Sequence, residues 1–218
     1  PDSKLTPKEL AGHLRQPSGE TGIQVGLQMN KGNKHICLNS YKVLDPQNDD
    51  HILEIGMGNG FFVNSLMDMA KNLKYAGVDF SATMIEEAQQ LNKVLIDNGS
   101  VSFTEASIEK LPFEDNTFNS ITTTNTLYFW PQPTNNIKEL LRVLKPEGKL
   151  VIAYRSKNCM DQLELANHGF EKYENQDVEQ LLTNAGFKNT STQIIKEPEL
   201  EFDGKAFTME GFYTTGVK

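Results

Sequence analysis

The sequence predicts an α/β fold, a mostly parallel sheet with helices on both faces. Three observations predict it. From residue 49 onward, apolar and β-branched runs alternate with segments whose apolar residues recur at helical spacing. The first of these runs ends on Gly56-Met57-Gly58-Asn59-Gly60, a turn with glycine at alternate positions. The chain then closes on two strand-like runs joined by a polar stretch, which fits one antiparallel strand inserted near the sheet edge.

The elements follow in order. Residues 1–48 are rich in Gly, Asn, Gln and Lys and read as an N-terminal helical extension. Short helices are expected near 6–14 and 33–44, with a turn at Pro17 and Gly19 between them. This extension either packs plainly on the sheet edge or forms a lid over a site. Residues 49–218 form the main domain, with strands expected at Ile52–Ile55, Leu73–Asp79, Val101–Glu105, Ser120–Thr124 and Lys149–Tyr154. The threonine-rich run 121–124 is β-branched and suits a strand.

Met84, Ala88, Leu91 and Leu95 give one apolar face to a helix over 82–97. Ile137, Leu140, Leu141 and Leu144 do the same before Pro146 and Gly148 stop the helix. Val178, Leu181, Leu182 and Ala185 repeat the pattern, with Gly186 placed as a C-terminal cap. Phe187–Ile195 and Ala206–Val217 read as the closing antiparallel pair.

Composition narrows the function classes. A chain of 218 residues with 38% hydrophobic and 23% charged residues fits one globular domain with a small appendage. The net charge is −8 and no Lys/Arg cluster stands out, which argues against nucleic acid as the partner. No apolar run is long enough for a membrane span, and no signal peptide is read at the start. Cys37 and Cys159 suit idle thiols in a reducing cytoplasm, so a cytoplasmic location is expected. His13, His35, His51 and His168 lack metal-ligand spacing, so no metal site is expected.

The glycine turn carries the chemistry. Gly56 takes the tight turn out of the strand, Gly58 admits close approach of a ligand, and Gly60 brings a helix close. A dinucleotide fingerprint would need glycine where Phe61 stands. Glu54 precedes the glycines instead, where a carboxylate suits an ammonium and repels a pyrophosphate. Asp79, 21 residues beyond Gly58, ends the second strand and can accept both hydroxyls of a ribose, or cap the next helix together with Ser81. Glu105 at the third strand end suits an amino group of a base, with the N–H of Ala106 or Ser107 beside it. After the fourth strand, Asn125, Tyr128, Phe129 and Trp130 lie where an acceptor would meet the ligand. Tyr128 and Trp130 are the candidate pocket walls; Phe129 reads as packing.

Taken together, these segments resemble the class I S-adenosylmethionine-dependent methyltransferases, most fully over residues 49–155. Glu54 through Gly60 matches the acidic-x-Gly-x-Gly-x-Gly loop, and Gly77 through Asp79, Phe80, Ser81 and Met84 the ribose-binding segment. Glu105-Ala106-Ser107 matches the adenine-side segment, with Glu where Asp is commoner. Leu144 through Gly148 matches the turn before the fifth strand, although Glu147 stands where Gly is usual and Asn119 where Asp is frequent.

The resemblance implies a Rossmann-like, seven-stranded sheet with an antiparallel last strand, and S-adenosylmethionine as cofactor. It also implies Glu54, Gly56, Gly58, Gly60, Asp79, Phe80, Met84, Glu105, Ala106, Ser107 and Asn125 as cofactor contacts. The small-molecule branch that includes ubiquinone and menaquinone biosynthesis is the most similar. The implied reaction is in-line methyl transfer to a small-molecule acceptor by a monomer or homodimer, with His35 and Tyr128 as candidate general bases. No Asn/Asp-Pro-Pro-Tyr/Phe loop and no Pro-Cys nucleophile occurs. Two alternatives remain: a non-catalytic adenosyl-binding module, and a nicotinamide-dependent oxidoreductase, which Phe61 and the lack of a Tyr-x-x-x-Lys pair disfavour.

Overall fold

The computed structural model describes residues 5–198, 200–202, 205–207 and 209–218. Three helices come first: α1 (Pro7–Arg15), α2 (Gly19–Gly32) and α3 (Lys34–Leu44). Then follow β1 (His51–Ile55), α4 (Val63–Met67), β2 (Lys74–Asp79), α5 (Ala82–Leu91), α6 (Lys93–Asp97), β3 (Val101–Glu105) and β4 (Phe118–Thr124). The second half holds α7 (Pro133–Val143), β5 (Leu144–Tyr154), α8 (Lys157–Asp161), α9 (Asn175–Ala185) and β6 (Lys188–Lys196). It ends with β7 (Leu200–Phe202), β8 (Lys205–Phe207) and β9 (Glu210–Val217).

Seven strands form one sheet in the order β3-β2-β1-β4-β5-β9-β6. The pairs from β3 through β5 are all parallel, and β9 runs antiparallel to both β5 and β6. This is the expected sheet, with its antiparallel last strand second from the edge. Strand order reverses between β1 and β4, so the crevice beyond their carboxyl ends is the natural ligand position.

Side-chain alternation along β1 divides the core. Leu53 and Ile55 face a layer that includes Ile137, Leu140, Val178 and Leu182 of α7 and α9. Ile52 faces the other way, with Ile36, Tyr41 and Leu44 of α3 and Ile85 and Ala88 of α5. Each such fully buried aliphatic side chain contributes roughly 1.5–3 kcal/mol. Residues 34–44 therefore belong to the main hydrophobic core and are more than an appendage to it.

Four expectations change. The polar stretch 19–32 forms α2, because Gly22, Val25 and Gly26 are buried and Gly26 lies close against Met84. Tertiary packing overrides the poor helix propensity of those glycines. The helix expected over 82–97 breaks at Asn92, whose side chain donates to the carbonyls of Gly60 (3.1 Å) and Ala88 (3.0 Å). Leu91, assigned to its apolar face, is consequently exposed. The strand expected over Ala206–Val217 starts at Glu210, and residues 205–207 pair with 200–202 in a separate hairpin. Residue 208 of that expected strand, and residues 1–4 of the extension, lie outside the described residues. Lastly, the helix after the glycine turn is only five residues long and begins at Val63.

Candidate functional site

β1 ends at Ile55 and the chain turns sharply. Gly56, Gly58 and Gly60 have φ of 68°, 59° and 66°, a region side chains rarely adopt. At Gly56 a Cβ would sit 2.3 Å from Thr126 Cγ2, so the residue after β4 packs directly on this turn. At Gly58 a Cβ would meet nothing within 4 Å, which leaves open space beside the backbone. The Gly58 N–H donates to Asp79 Oδ2 (3.1 Å) and the Ser81 N–H to Oδ1 (2.9 Å), so one carboxylate ties the tips of β1 and β2 together. Desolvation raises the Asp79 pKa from 3.8 to about 6, with those backbone donors opposing the rise.

A cavity of about 150 Å³ opens at this point. Of the residues expected at the site, Gly56, Asp79, Phe80, Ala106, Ser107 and Trp130 line it. Trp130 Nε1 donates to Thr126 Oγ1 (3.1 Å), which holds the indole in the wall. Asp79 is opposite Glu105 in the β2–β3 register, so the segment after β3 falls beside it.

Other expected residues lie elsewhere. Glu54 was expected to face the ligand, but it shares the face of Ile52 and points to α3, since alternate residues of a strand face opposite ways. Its carboxylate accepts from the hydroxyls of Tyr41 (2.9 Å) and Tyr75 (2.8 Å), and desolvation raises its pKa to about 7. Gly58 is part of the turn without lining the cavity. Gly60 faces Ala88 and Asn92 of α5 and its end, and so brings that helix close, not the one that follows it in sequence. Met84 is fully buried against Gly26. Glu105 is exposed at the tip of β3 and does not line the cavity.

Asn125 adopts φ 56° and is spent on structure: its N–H donates to Ala153 O (2.8 Å) and its Nδ2 to Asn33 Oδ1 (3.0 Å). Tyr128 is buried outside the cavity wall. Its hydroxyl donates to Asn125 Oδ1 (3.0 Å) and accepts from the Arg155 N–H (2.5 Å). Burial pushes its pKa far up, so the phenol does not serve as a base near neutral pH. His35, half-buried in the first turn of α3, does not line the cavity either.

Two of the lining residues, Thr126 and Arg15, carry no local signal in the sequence. Thr126 follows the fourth strand, where only the aromatics beyond it drew notice. Arg15 arrives from α1, some forty residues before the glycine turn, and only helix packing brings it there.

These features fit an adenosyl ligand. A buried carboxylate of the kind that suits ribose hydroxyls stands at the β2 tip, the turn leaves room at Gly58, and Phe80 and Ile108 are apolar surface on the wall. Comparison with known proteins agrees. Residues 53–152 match the family model described as "Methyltransferase domain". The ubiquinone/menaquinone biosynthesis C-methyltransferase of Rickettsia felis is 32% identical over 116 residues, covering 51% of this chain and 47% of that protein. The demethylmenaquinone methyltransferase of Clavibacter sepedonicus is 30% identical over 132 residues, covering 61% of this chain and 51% of that protein. This chain spans from 29% to 77% of the length of the curated relatives it matches, and about half of the two named here. A solved S-adenosylmethionine-dependent methyltransferase from Thermotoga maritima has the same fold, with a TM-score of 0.69 at 20% identity over 90% of this chain and 96% of its own. Residues 53–152 thus match a methyltransferase domain, and the sheet that carries them has the fold of a solved S-adenosylmethionine-dependent methyltransferase.

Proposed function

We propose that this protein transfers the methyl group of S-adenosylmethionine to a small-molecule acceptor by in-line displacement. The observation that carries the reading is Asp79: a buried carboxylate, fixed by two backbone donors from the glycine turn and the next helix, on the wall of a cavity at the switch point.

The bound cofactor supplies an already activated methyl group on a sulfonium centre. The chain's own work is then alignment and exclusion of water. Asp79 accepts from the ribose hydroxyls, and its fixed geometry removes the cost of ordering it on binding. Phe80, Ala106 and Ser107 bound the base. Trp130, held by Thr126, walls the side where the acceptor arrives. Glu54, braced by Tyr41 and Tyr75, supports the turn from behind. Neither His35 nor Tyr128 is placed as a general base. Residues 1–48 act in part as a lid on the 49–218 unit, since α1 reaches the cavity. No helix among the described residues is long and apolar enough to cross a membrane. The free thiols of Cys37 and Cys159 suit a reducing cytoplasm.

Both curated relatives named above carry quinone-pathway names, so a quinol-like ring is the first acceptor to test. Calorimetry with S-adenosylhomocysteine, on wild type and on Asp79→Ala, tests the cofactor role. The expected outcome is binding that is lost in the variant. Transfer of labelled methyl to a panel of hydroxylated aromatic compounds tests turnover. Tight binding with no transfer to any member would favour a non-catalytic adenosyl-binding module.

A further inference from the structure

The corner between α1 and α2 meets the cavity although it lies far from the glycine turn in sequence. Three hydrogen bonds fasten it to the β2–α5 junction: Gln16 Nε2 donates to Phe80 O (3.2 Å), Ser81 Oγ to Pro17 O (2.5 Å) and the Gly19 N–H to Thr83 Oγ1 (3.3 Å). Pro17 is buried, and a Cβ on Gly22 would come within 2.7 Å of its backbone, so the two sides of the corner are in close contact. The far end of α1 is set by a reciprocal cap between Thr6 and Glu9.

The last turn of α1 is thereby held at the cavity. Arg15 is its one lining residue from before residue 49. Among the described residues no carboxylate forms an ion pair with Arg15. Arg15 is exposed and shares the wall with Phe80, Ala106 and Ile108 and with the carboxylates of Asp79 and Glu109, neither of which pairs with it. An exposed, flat guanidinium with no ion-pair partner is available to stack on a flat π surface that enters beside it.

We propose that Arg15 binds the adenine of the cofactor by stacking its guanidinium on the base, which makes the α1–α2 corner a working part of the cofactor site. The inference rests on the adenosyl reading and assigns one more contact to it. Phe80 borders the same space and is itself tied to the corner through Gln16, so base and corner are recognised together. Glu109, also on the wall, offsets the like-charge repulsion between Arg15 and a sulfonium. The cavity of about 150 Å³ is small for such a ligand, because sites for molecules of that size run to about 300 Å³ or more. Seating the nucleoside therefore requires the corner to shift outward at the expense of its three hydrogen bonds.

The test uses two ligands, S-adenosylhomocysteine and 5′-methylthioadenosine, which share the adenosyl part but not the amino-acid part. Affinities are measured by calorimetry for wild type, Arg15→Ala and Arg15→Lys. Fluorescence of Trp130, the only tryptophan, reports independently that ligand enters the cavity. The expected result is a loss of roughly three- to thirtyfold for both ligands in both variants, with thermal melting unchanged. A loss confined to S-adenosylhomocysteine would mean that Arg15 holds the amino-acid carboxylate and would overturn the proposal. So would full rescue by lysine, which keeps the charge but not the plane, or unchanged affinities throughout. Failure of wild type to bind either ligand, with no Trp130 response, would sink the adenosyl reading and this inference with it.

Discussion

Asp79 and Glu54 are both carboxylates buried without a cationic partner in contact, and both are shifted upward by desolvation. The sign for stability follows. The folded protein holds these protons more tightly than the unfolded chain, whose carboxylates keep ordinary values near 3.8 and 4.5. Stability is therefore fullest below those values and falls as pH rises through about 6 for Asp79 and about 7 for Glu54. Denaturant titrations from pH 4 to 8 should show this fall, and Glu54→Gln should flatten its upper part; an unchanged slope in that variant would count against the assignment. Ligand affinity should run the other way. An ionised Asp79 is the better acceptor for ribose hydroxyls, so binding of S-adenosylhomocysteine should strengthen as pH rises through about 6. Asp79→Asn should remove that dependence and weaken binding by roughly 10- to 100-fold, the range for hydrogen bonds to a charged group.

The glycine turn works as an element because two of its positions fail for different reasons when substituted. Gly56→Ala drives a Cβ into Thr126 in addition to the strain of a positive φ, whereas Gly58→Ala meets open space and carries the backbone strain alone. Chemical denaturation should rank them accordingly, with about 1–2 kcal/mol lost at Gly58 and more at Gly56. Equal losses would mean that the loop relaxes away from Thr126. Ser81 joins two elements at once: its hydroxyl accepts from the Met84 N–H at the start of α5 (3.2 Å) and donates to Pro17 O. Ser81→Ala should cost about 1 kcal/mol for the lost cap and speed amide exchange in the α1–α2 corner. A normal exchange rate there would show that the corner is held by other means.

At the scale of the whole molecule, the N-terminal helices fall into two classes. Ile36, Tyr41 and Leu44 of α3 are buried in the sheet's core, and Ser40 Oγ pairs with Thr122 Oγ1 of β4 (2.7 Å). A chain starting at residue 33 should keep a cooperative thermal transition, whereas one starting at residue 49 should lose it, because removal of α3 bares one face of the sheet. Cooperative melting of the shorter chain would show that α3 is dispensable. Across the carboxyl ends of the strands, Arg155 after β5 and Glu197 after β6 form a buried, bidentate ion pair, with one contact of 3.0 Å. Glu197→Gln strands the guanidinium in a dry site and should cost about 3–5 kcal/mol, more than any surface pair. Cys37 is half-buried with its thiol pushed up by desolvation, and should be alkylated more slowly in the folded protein than in the unfolded chain.

The sequence by itself determined the strands β1 to β5, the glycine turn, the carboxylate at the tip of β2 and the closing antiparallel pair. Each of these depends on local periodicity or on a backbone conformation that only certain residues tolerate, so each leaves a mark within a few positions. Glycines at 56, 58 and 60 announce positive φ, and the gap from Gly58 to Asp79 is the length of one helix and the strand after it. What tertiary structure alone decided was which side chains face the cavity. Glu54 turns away to the hydroxyls of Tyr41 on α3 and Tyr75 on β2, Tyr128 is consumed by Asn125 and Arg155, and α2 forms because Gly22 and Gly26 are needed where helices pack closely. Arg15 reaches the site only through a helix corner clamped sixty-odd residues away in sequence. Such contacts join residues whose separation carries no periodic signature, and they exist only after the hydrophobic faces have chosen their partners.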